Sequence, residues 1–178
     1  MSEIKQENNA WVSQDKLHKT SRPKTRRFLF QYLYAIAHWQ SSRDDFMASF
    51  YKESFLDQID WVYFREVCKW IIEKESLILV VISKYAPKFR IEKMQVEQII
   101  PMLISIFEML YYSEELPYKI SINEAVELSK IYCDDSNRKL VNWVLNNVAQ
   151  NHKEILKELE EKEISKENIF FKVDLNNI

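Results

Sequence analysis

Glycine is absent from this chain of 178 residues, which also has only four prolines. At average usage, a chain of this length would contain about 12 glycines. Without glycine, it cannot carry the glycine-rich loops that hold phosphate in dinucleotide-binding and P-loop proteins. It also lacks the usual residue for hairpin turns with positive φ. The composition therefore predicts helices joined by short turns.

Cysteine and histidine are scarce, with two and three residues. Cys68 and Cys133 form no C-x-x-C pair, so neither a zinc site nor a redox pair is indicated. We expect two buried free thiols in a reducing compartment. His18, His38 and His152 have no ligand spacing, and the absence of an E-x-x-H pair argues against a di-iron bundle. We therefore expect no cofactor, no metal and no enzymatic activity.

Long apolar runs are missing as well. The longest, Leu77–Ile82, is far shorter than the roughly 18 residues that a membrane-spanning helix needs. The first ten residues are polar and do not resemble a secretory signal. We therefore expect a cytoplasmic protein with no membrane partner. Hydrophobic residues make up 47% of the chain and the net charge is only −2, so a buried core is expected.

Apolar residues at helical spacing predict an all-α fold. Ser121 and Glu124 have the spacing of a capping box, and Pro87 should end a helix. Pro101 either begins the regular part of its helix or kinks it. The predicted helices start near Pro23, after Ser41–Ser42 and near Asp60, and then cover Val96–Tyr112, the segment from Ser121, Ser136–Ala149 and His152–Glu163.

The segment Lys16–Arg27 carries six positive charges and no acidic residue. A basic segment that enters a helix attracts the phosphate backbone of a nucleic acid. Gln31 and Tyr34 follow on this helix, where they could add a hydrogen bond and a stacking face. The alternative is a solvated basic tail without a binding role.

Several segments resemble, in chain order, those of the NusB family of transcription antitermination factors. Leu116–Lys130 is similar to the family pattern PYKVxINEAIELAK, and Asp135–Leu145 is similar to DSHKFVNGVL. These two segments are the most specific part of a resemblance that covers residues 22–150. The shorter matches are Lys24–Arg27, Gln31–Tyr34, Tyr63–Glu66 and Phe107–Leu110.

The resemblance implies an all-α, NusB-like fold of two packed three-helix bundles over residues 22–150. A basic tail (1–21) would precede it and a charged extension (151–178) would follow it. It also implies a non-enzymatic RNA-binding factor for transcription antitermination. Its partners would be boxA-like elements of ribosomal RNA transcripts, the ribosomal small-subunit protein NusE and the transcription elongation complex. A homodimer is compatible with the resemblance.

Site residues also follow from the resemblance, residue by residue. Tyr34 and Glu108 match positions that face NusE, although Tyr34 fits a packing role equally well. The residues that match RNA-contacting segments are Arg22, Lys24, Arg26, Arg27, Gln31, Lys119, Asp135, Ser136 and Lys139.

The chain departs from the family pattern at several positions. Cys133 and Trp143 stand where relatives have glycine, and Leu140 replaces an aromatic residue. We expect the largest local differences after Tyr132 and around Trp143, whose indole must alter the packing or face solvent. Two alternatives remain: an interaction module of the same fold with weak or lost RNA binding, and the RNA-recognition part of an RNA methyltransferase.

Overall fold

The computed structural model describes residues 20–39, 46, 48, 53–161 and 168–172. This part of the chain contains no strand, which confirms the all-α prediction. None of its helices is long and apolar enough to cross a membrane. Most of the helix predicted after Ser41 lies outside the described residues, although Phe46 and Ala48 are helical. The helices are α1 (Arg22–Trp39), α2 (Glu53–Leu56), α3 (Trp61–Tyr85), α4 (Val96–Tyr111), α5 (Tyr118–Tyr132), α6 (Asp135–Gln150) and α7 (His152–Glu161).

Helix α4 forms the centre of the fold. Every residue from Ile99 to Leu110 is buried, and α4 packs against α1, α3, α5, α6 and α7. The helix begins five residues before Pro101, so proline does not start it. Pro101 has no amide hydrogen to donate to the carbonyl of Glu97. The thiol of Cys133 donates to that carbonyl oxygen at 3.1 Å, so a side chain from the end of α5 supplies a hydrogen bond there.

Aspartate side chains cap the N-termini of two helices. The Asp60 carboxylate precedes α3 and accepts a hydrogen bond from the Tyr63 amide at 3.1 Å. Asp134 precedes α6 and accepts from the Ser136 hydroxyl at 2.7 Å and the Asn137 amide at 2.9 Å. These two hydrogen bonds lower the pKa of Asp134. The start of α3 near Asp60 and its end before Pro87 are therefore confirmed.

The predicted capping box at Ser121 and Glu124 is wrong. Helix α5 begins at Tyr118, so both residues lie inside it, where their side chains point to buried partners on α4 and α1. A capping box instead occurs at the start of α4, between Gln95 and Gln98. Ser121 and Glu124 form tertiary contacts instead. The amides that a cap at Ser121 would satisfy lie beyond the first turn of α5, so they already donate within the helix.

The C-terminal segment 168–172 packs onto α3 through one buried carboxylate. Glu75 accepts hydrogen bonds from the amides of Ile169 at 3.0 Å, Phe170 at 2.7 Å and Phe171 at 3.1 Å. Phe171 is fully buried, and the Asn168 side chain donates to a backbone carbonyl of α3 at 2.8 Å. Burial raises the pKa of Glu75, and the three amides offset this only in part. Part of the charged extension therefore shares the main core.

Candidate nucleic-acid interface

Arg26, in the middle of the basic start of α1, lies inside the protein. It is only 3% exposed, and its Nε donates to Glu108 Oε1 at 2.8 Å. Its Nη1 pairs with Glu124 Oε2 at 3.2 Å. The Tyr63 hydroxyl donates to the same Glu108 oxygen at 2.5 Å. Arg26 therefore holds α1 to α4 and α5 through a buried ion-pair network.

The electrostatics of this network keep Arg26 charged. Burial is the largest single effect and disfavours the charged guanidinium, but the charges of Glu108, Tyr63 and Glu124 and the hydrogen bond to Glu108 together outweigh it. The pKa of Arg26 is therefore raised. Burial, and next the Glu108 charge, raise the pKa of Tyr63 well above its usual range. Ser121 donates to the second Glu108 oxygen at 2.6 Å, so both oxygens of this buried carboxylate have donors.

Two of the residues assigned by resemblance therefore do not belong to an exposed site. Glu108 is 1% exposed and Arg26 is 3% exposed, and their charged groups face each other. A contact of Arg26 with RNA, or of Glu108 with a protein partner, would require the buried ion pair to break. The two residues hold α1 to α4 in this structure, where an unpaired buried charge is costly, and their assignment to an RNA or protein contact stays a prediction.

Arg22 and Lys24 are half-buried, and their cationic groups already have partners in the chain. The Nε of Arg22 lies 3.0 Å from an Asp60 oxygen, and its guanidinium lies 4.3 Å from the ring centre of Tyr63. The Lys24 ammonium donates to the side-chain oxygen of Gln58. Half-burial leaves part of each side chain accessible at the start of α1.

Arg27 and Gln31 lie at the surface beside the end of α5. Arg27 is exposed, and the Gln31 amide donates to the Tyr132 hydroxyl at 3.2 Å. The Tyr132 ring stacks on Phe30 with 4.0 Å between centroids. Burial raises the pKa of Tyr132, and Gln31 and the Arg27 charge act against this increase. We call Arg27, Gln31 and Tyr132 the α1–α5 face.

Tyr132 is the member of this face that sequence reasoning missed. Its signal was its position as the last residue of α5, directly before Cys133, where the chain departs from the family pattern. Such a position brings an aromatic ring to the junction of two helices. The stacked Phe30 fixes the plane of the ring, so that its hydroxyl can meet Gln31.

The start of α6 follows the α1–α5 face in sequence. Asp135, Ser136 and Lys139 are exposed there, three to seven residues after Tyr132. Asp135 pairs with Arg138 at 3.3 Å. Lys119 is exposed too, but it lies 13 residues before Tyr132 on α5. At 1.5 Å per residue this is about 20 Å along the helix. Lys119 therefore lies at the opposite end of α5 from Tyr132, whereas the three α6 residues follow Tyr132 closely in sequence.

Tyr34 is half-buried and packs against the core, with its ring centre 4.3 Å from that of exposed His38. Trp143 is 51% exposed, whereas Leu140 is 8% exposed. Of the two alternatives for the Trp143 indole, the structure shows that it faces solvent. Because Leu140 packs in the core, it does not offer a surface contact.

The two cysteines differ from expectation in one respect. Both are free thiols, but only Cys68 is buried, since Cys133 is half-buried. Burial raises the pKa of Cys133 to about 11, which disfavours the reactive thiolate. Within the described ranges, no group of three or more histidine, cysteine, aspartate or glutamate side chains could hold a metal ion.

Most of the chain matches a known protein family. A family model described as "NusB family" matches residues 23–150. The chain belongs to the NusB family. A NusB protein of Serratia proteamaculans is 33% identical over 132 residues, which are 72% of this chain and 92% of the relative. One from Photorhabdus laumondii is 34% identical over 115 residues, which are 63% of this chain and 82% of the relative.

These NusB relatives carry the name transcription antitermination protein. Among solved structures, NusB of T. maritima superimposes with a TM-score of 0.64 at 24% sequence identity. The match covers 78% of this chain and 99% of the T. maritima chain. The NusB-like, all-α fold predicted from the sequence is therefore confirmed, and the family is one of transcription antitermination proteins.

Proposed function

We propose that this NusB-family chain is a non-enzymatic antitermination factor that binds boxA-like elements of ribosomal RNA transcripts together with the ribosomal protein NusE. The observation that carries the proposal is the α1–α5 face. It combines an exposed guanidinium (Arg27), a side-chain amide (Gln31) and an aromatic ring (Tyr132). These groups suit a phosphate, a base edge and a base face, as single-stranded RNA offers.

The start of α6 extends this proposed interface. Exposed Lys139 adds a second positive charge for the phosphate backbone, and Ser136 adds a hydroxyl. Arg22 and Lys24 would contribute with the accessible part of their side chains, and Lys119 from the opposite end of α5. Asp135 has no attraction for phosphate, so its proposed role is a hydrogen bond with a base. Tyr34 is the residue that we propose for contact with NusE.

An RNA titration tests the proposal. The full chain is titrated with a fluorescent boxA-like RNA at two salt concentrations, alone and with NusE. We expect Arg27→Ala and Lys139→Ala to weaken binding about 3- to 10-fold each, and each variant to reduce the salt dependence by about one phosphate contact. Lys88→Ala, at an exposed position between α3 and α4, is the matched control and should bind like the original chain.

Other outcomes would contradict the proposal. Equal binding by Arg27→Ala, Lys139→Ala and Lys88→Ala would show that the α1–α5 face is not the RNA site. Binding of NusE without any RNA affinity would instead support the interaction module of the same fold. Circular dichroism of each variant checks that the fold is unchanged.

A further inference from the structure

An open cleft of about 480 Å³ lies between α3 and the end of α4. One stripe of α3 forms one wall, because its residues are spaced three or four apart along the helix. The end of α4 and the turn that follows form the other wall. The cleft shares no residue with the α1–α5 face. Its lining residues are Glu66, Lys69, Trp70, Glu73, Phe107, Tyr111, Tyr112 and Glu115.

Half of the lining residues are aromatic. The Trp70 ring meets Phe107 and Tyr111 edge-on, with centroids 5.2 Å and 5.3 Å apart. Phe107 also packs against Tyr112 at 5.6 Å. Trp70 is 9% exposed, whereas Tyr111 is 47% exposed. A rigid base therefore presents one accessible ring, and such rings attract cations through their negative faces.

The charges around this aromatic base are mostly negative. Glu66, Glu73 and Glu115 line the cleft with one cation, Lys69. The Lys69 ammonium lies 3.7 Å from a Glu73 oxygen, so its charge is partly balanced within the lining. Three carboxylates against one ammonium leave a net charge of −2 beside accessible aromatic surface. This combination suits a positively charged ligand and repels phosphate.

The same wall already holds one guanidinium from the chain itself. The Arg22 guanidinium lies 5.3 Å from the ring centre of Tyr112 and 4.3 Å from that of Tyr63. The aromatic rings of Tyr63 and Tyr112 thus already hold a guanidinium by cation–π contacts, which Tyr111 in the cleft can also form.

We propose that this cleft binds an arginine or lysine side chain of a basic peptide segment from a protein partner. The cation would stack on Tyr111 and face the carboxylates of Glu66, Glu73 and Glu115. This surface shares no residue with the α1–α5 face, and its chemistry is opposite in sign, although Arg22 at the start of α1 lies beside its Tyr112 wall.

Nuclear magnetic resonance with the ¹⁵N-labelled full chain tests the inference. The probes are a hexa-arginine peptide and a hexa-citrulline peptide, which has the same shape without the charge. We expect hexa-arginine to shift the Trp70 indole signal and the amides of Lys69, Tyr111 and Glu115. Hexa-citrulline should bind at least about fivefold more weakly, because cation–π and charge contacts are lost.

Two exposed positions provide variants that preserve the fold. Tyr111→Ala and Glu115→Gln should each weaken hexa-arginine binding about fivefold. The matched control is Glu114→Gln, which removes the same charge one residue away, at an exposed position that does not line the cleft. Arg27→Ala should bind the peptide like the original chain, because Arg27 does not line the cleft. The RNA proposal and this inference can therefore fail independently of each other.

Four results would overturn the inference. They are no binding of hexa-arginine, shifts spread evenly over the acidic surface, equal weakening by Glu114→Gln and Glu115→Gln, and shifts of cleft residues that depend on protein concentration without peptide. The last result would identify a second copy of the chain as the occupant.

Discussion

Arg26 and Arg27 are neighbours in the sequence but have different roles. Because consecutive helix residues point about 100° apart, Arg26 faces Glu108 and Glu124 while Arg27 is exposed on the α1–α5 face. The composition of the basic segment could not distinguish them. The usable signal was Glu108 itself, a lone acid within a continuous buried stretch of α4, because such a carboxylate requires a buried cation.

At this scale, we predict that Arg26→Ala destabilises the protein by about 3–5 kcal/mol, because Glu108 is left buried without its cation. Urea unfolding followed by circular dichroism measures the change. Arg27→Ala is the control and should change the free energy of unfolding by less than about 0.5 kcal/mol.

A second measurement distinguishes the cost of an unpaired buried charge from the cost of losing the other contacts of the Arg26 side chain. The double variant Arg26→Met with Glu108→Leu should be more stable than Arg26→Ala alone, because no buried charge is left unpaired. Equal stability of Arg26→Ala and Arg27→Ala would contradict the structural role of Arg26.

At the scale of the helices, the ends that depend on local chemistry could be predicted. Asp60 begins α3 because its carboxylate accepts an amide of the first turn, and Pro87 follows its end. The start of α5 could not be predicted in the same way. Ser121 and Glu124 have the spacing of a cap, but distant partners on α4 and α1 use both side chains. Tertiary contacts therefore override a local motif.

Pro101 and Cys133 act together at this scale. Pro101 cannot donate to the Glu97 carbonyl, and Cys133 donates to it from the end of α5. We predict that Cys133→Ala costs about 1 kcal/mol, because this carbonyl loses its donor. In a Pro101→Ala background the cost should be smaller, since the restored amide supplies a hydrogen bond. Urea unfolding of the four proteins in this cycle measures the coupling.

Cys133→Ser is the matched control for this cycle. A hydroxyl is also a donor, so the serine variant should retain most of the stability that alanine loses. Equal costs of Cys133→Ala with and without Pro101 would contradict the proposed coupling between the two residues.

At the scale of the whole molecule, the all-α, NusB-like fold follows from helical periodicity and from motif order. The packing of residues 168–172 does not follow from either, because these residues lie beyond the match at 23–150. Phe170 and Phe171 were visible as apolar residues in a polar end. Nothing in their spacing indicated that Glu75, 94 to 96 residues earlier, would accept the amides of residues 169–171.

The raised pKa of Glu75 gives stability a pH dependence. The folded protein holds the protonated carboxyl more readily than the unfolded chain, so this stabilisation is present below about pH 4.5. It is lost as the pH rises through the pKa of the folded state. We predict that the difference in unfolding free energy between the original chain and Glu75→Gln shifts in favour of the variant from about pH 4 to about pH 7.

Chemical unfolding at a series of pH values measures this difference. Glu73→Gln, a partly exposed carboxylate on the same helix, is the control and should show a smaller change. A difference for Glu75→Gln that moves in the opposite direction would contradict the raised pKa.

Residues 168–172 also bind to α3 in the way that a separate peptide ligand would bind to a protein. Three amides converge on the Glu75 carboxylate as a bound peptide would converge on a receptor, and covalent attachment keeps their effective concentration high. A protein that ended with the family match at residue 150 would have an empty receptor, with a buried carboxylate and no donors from 169–171. The family match therefore ends at residue 150, whereas the packed core extends to Phe171.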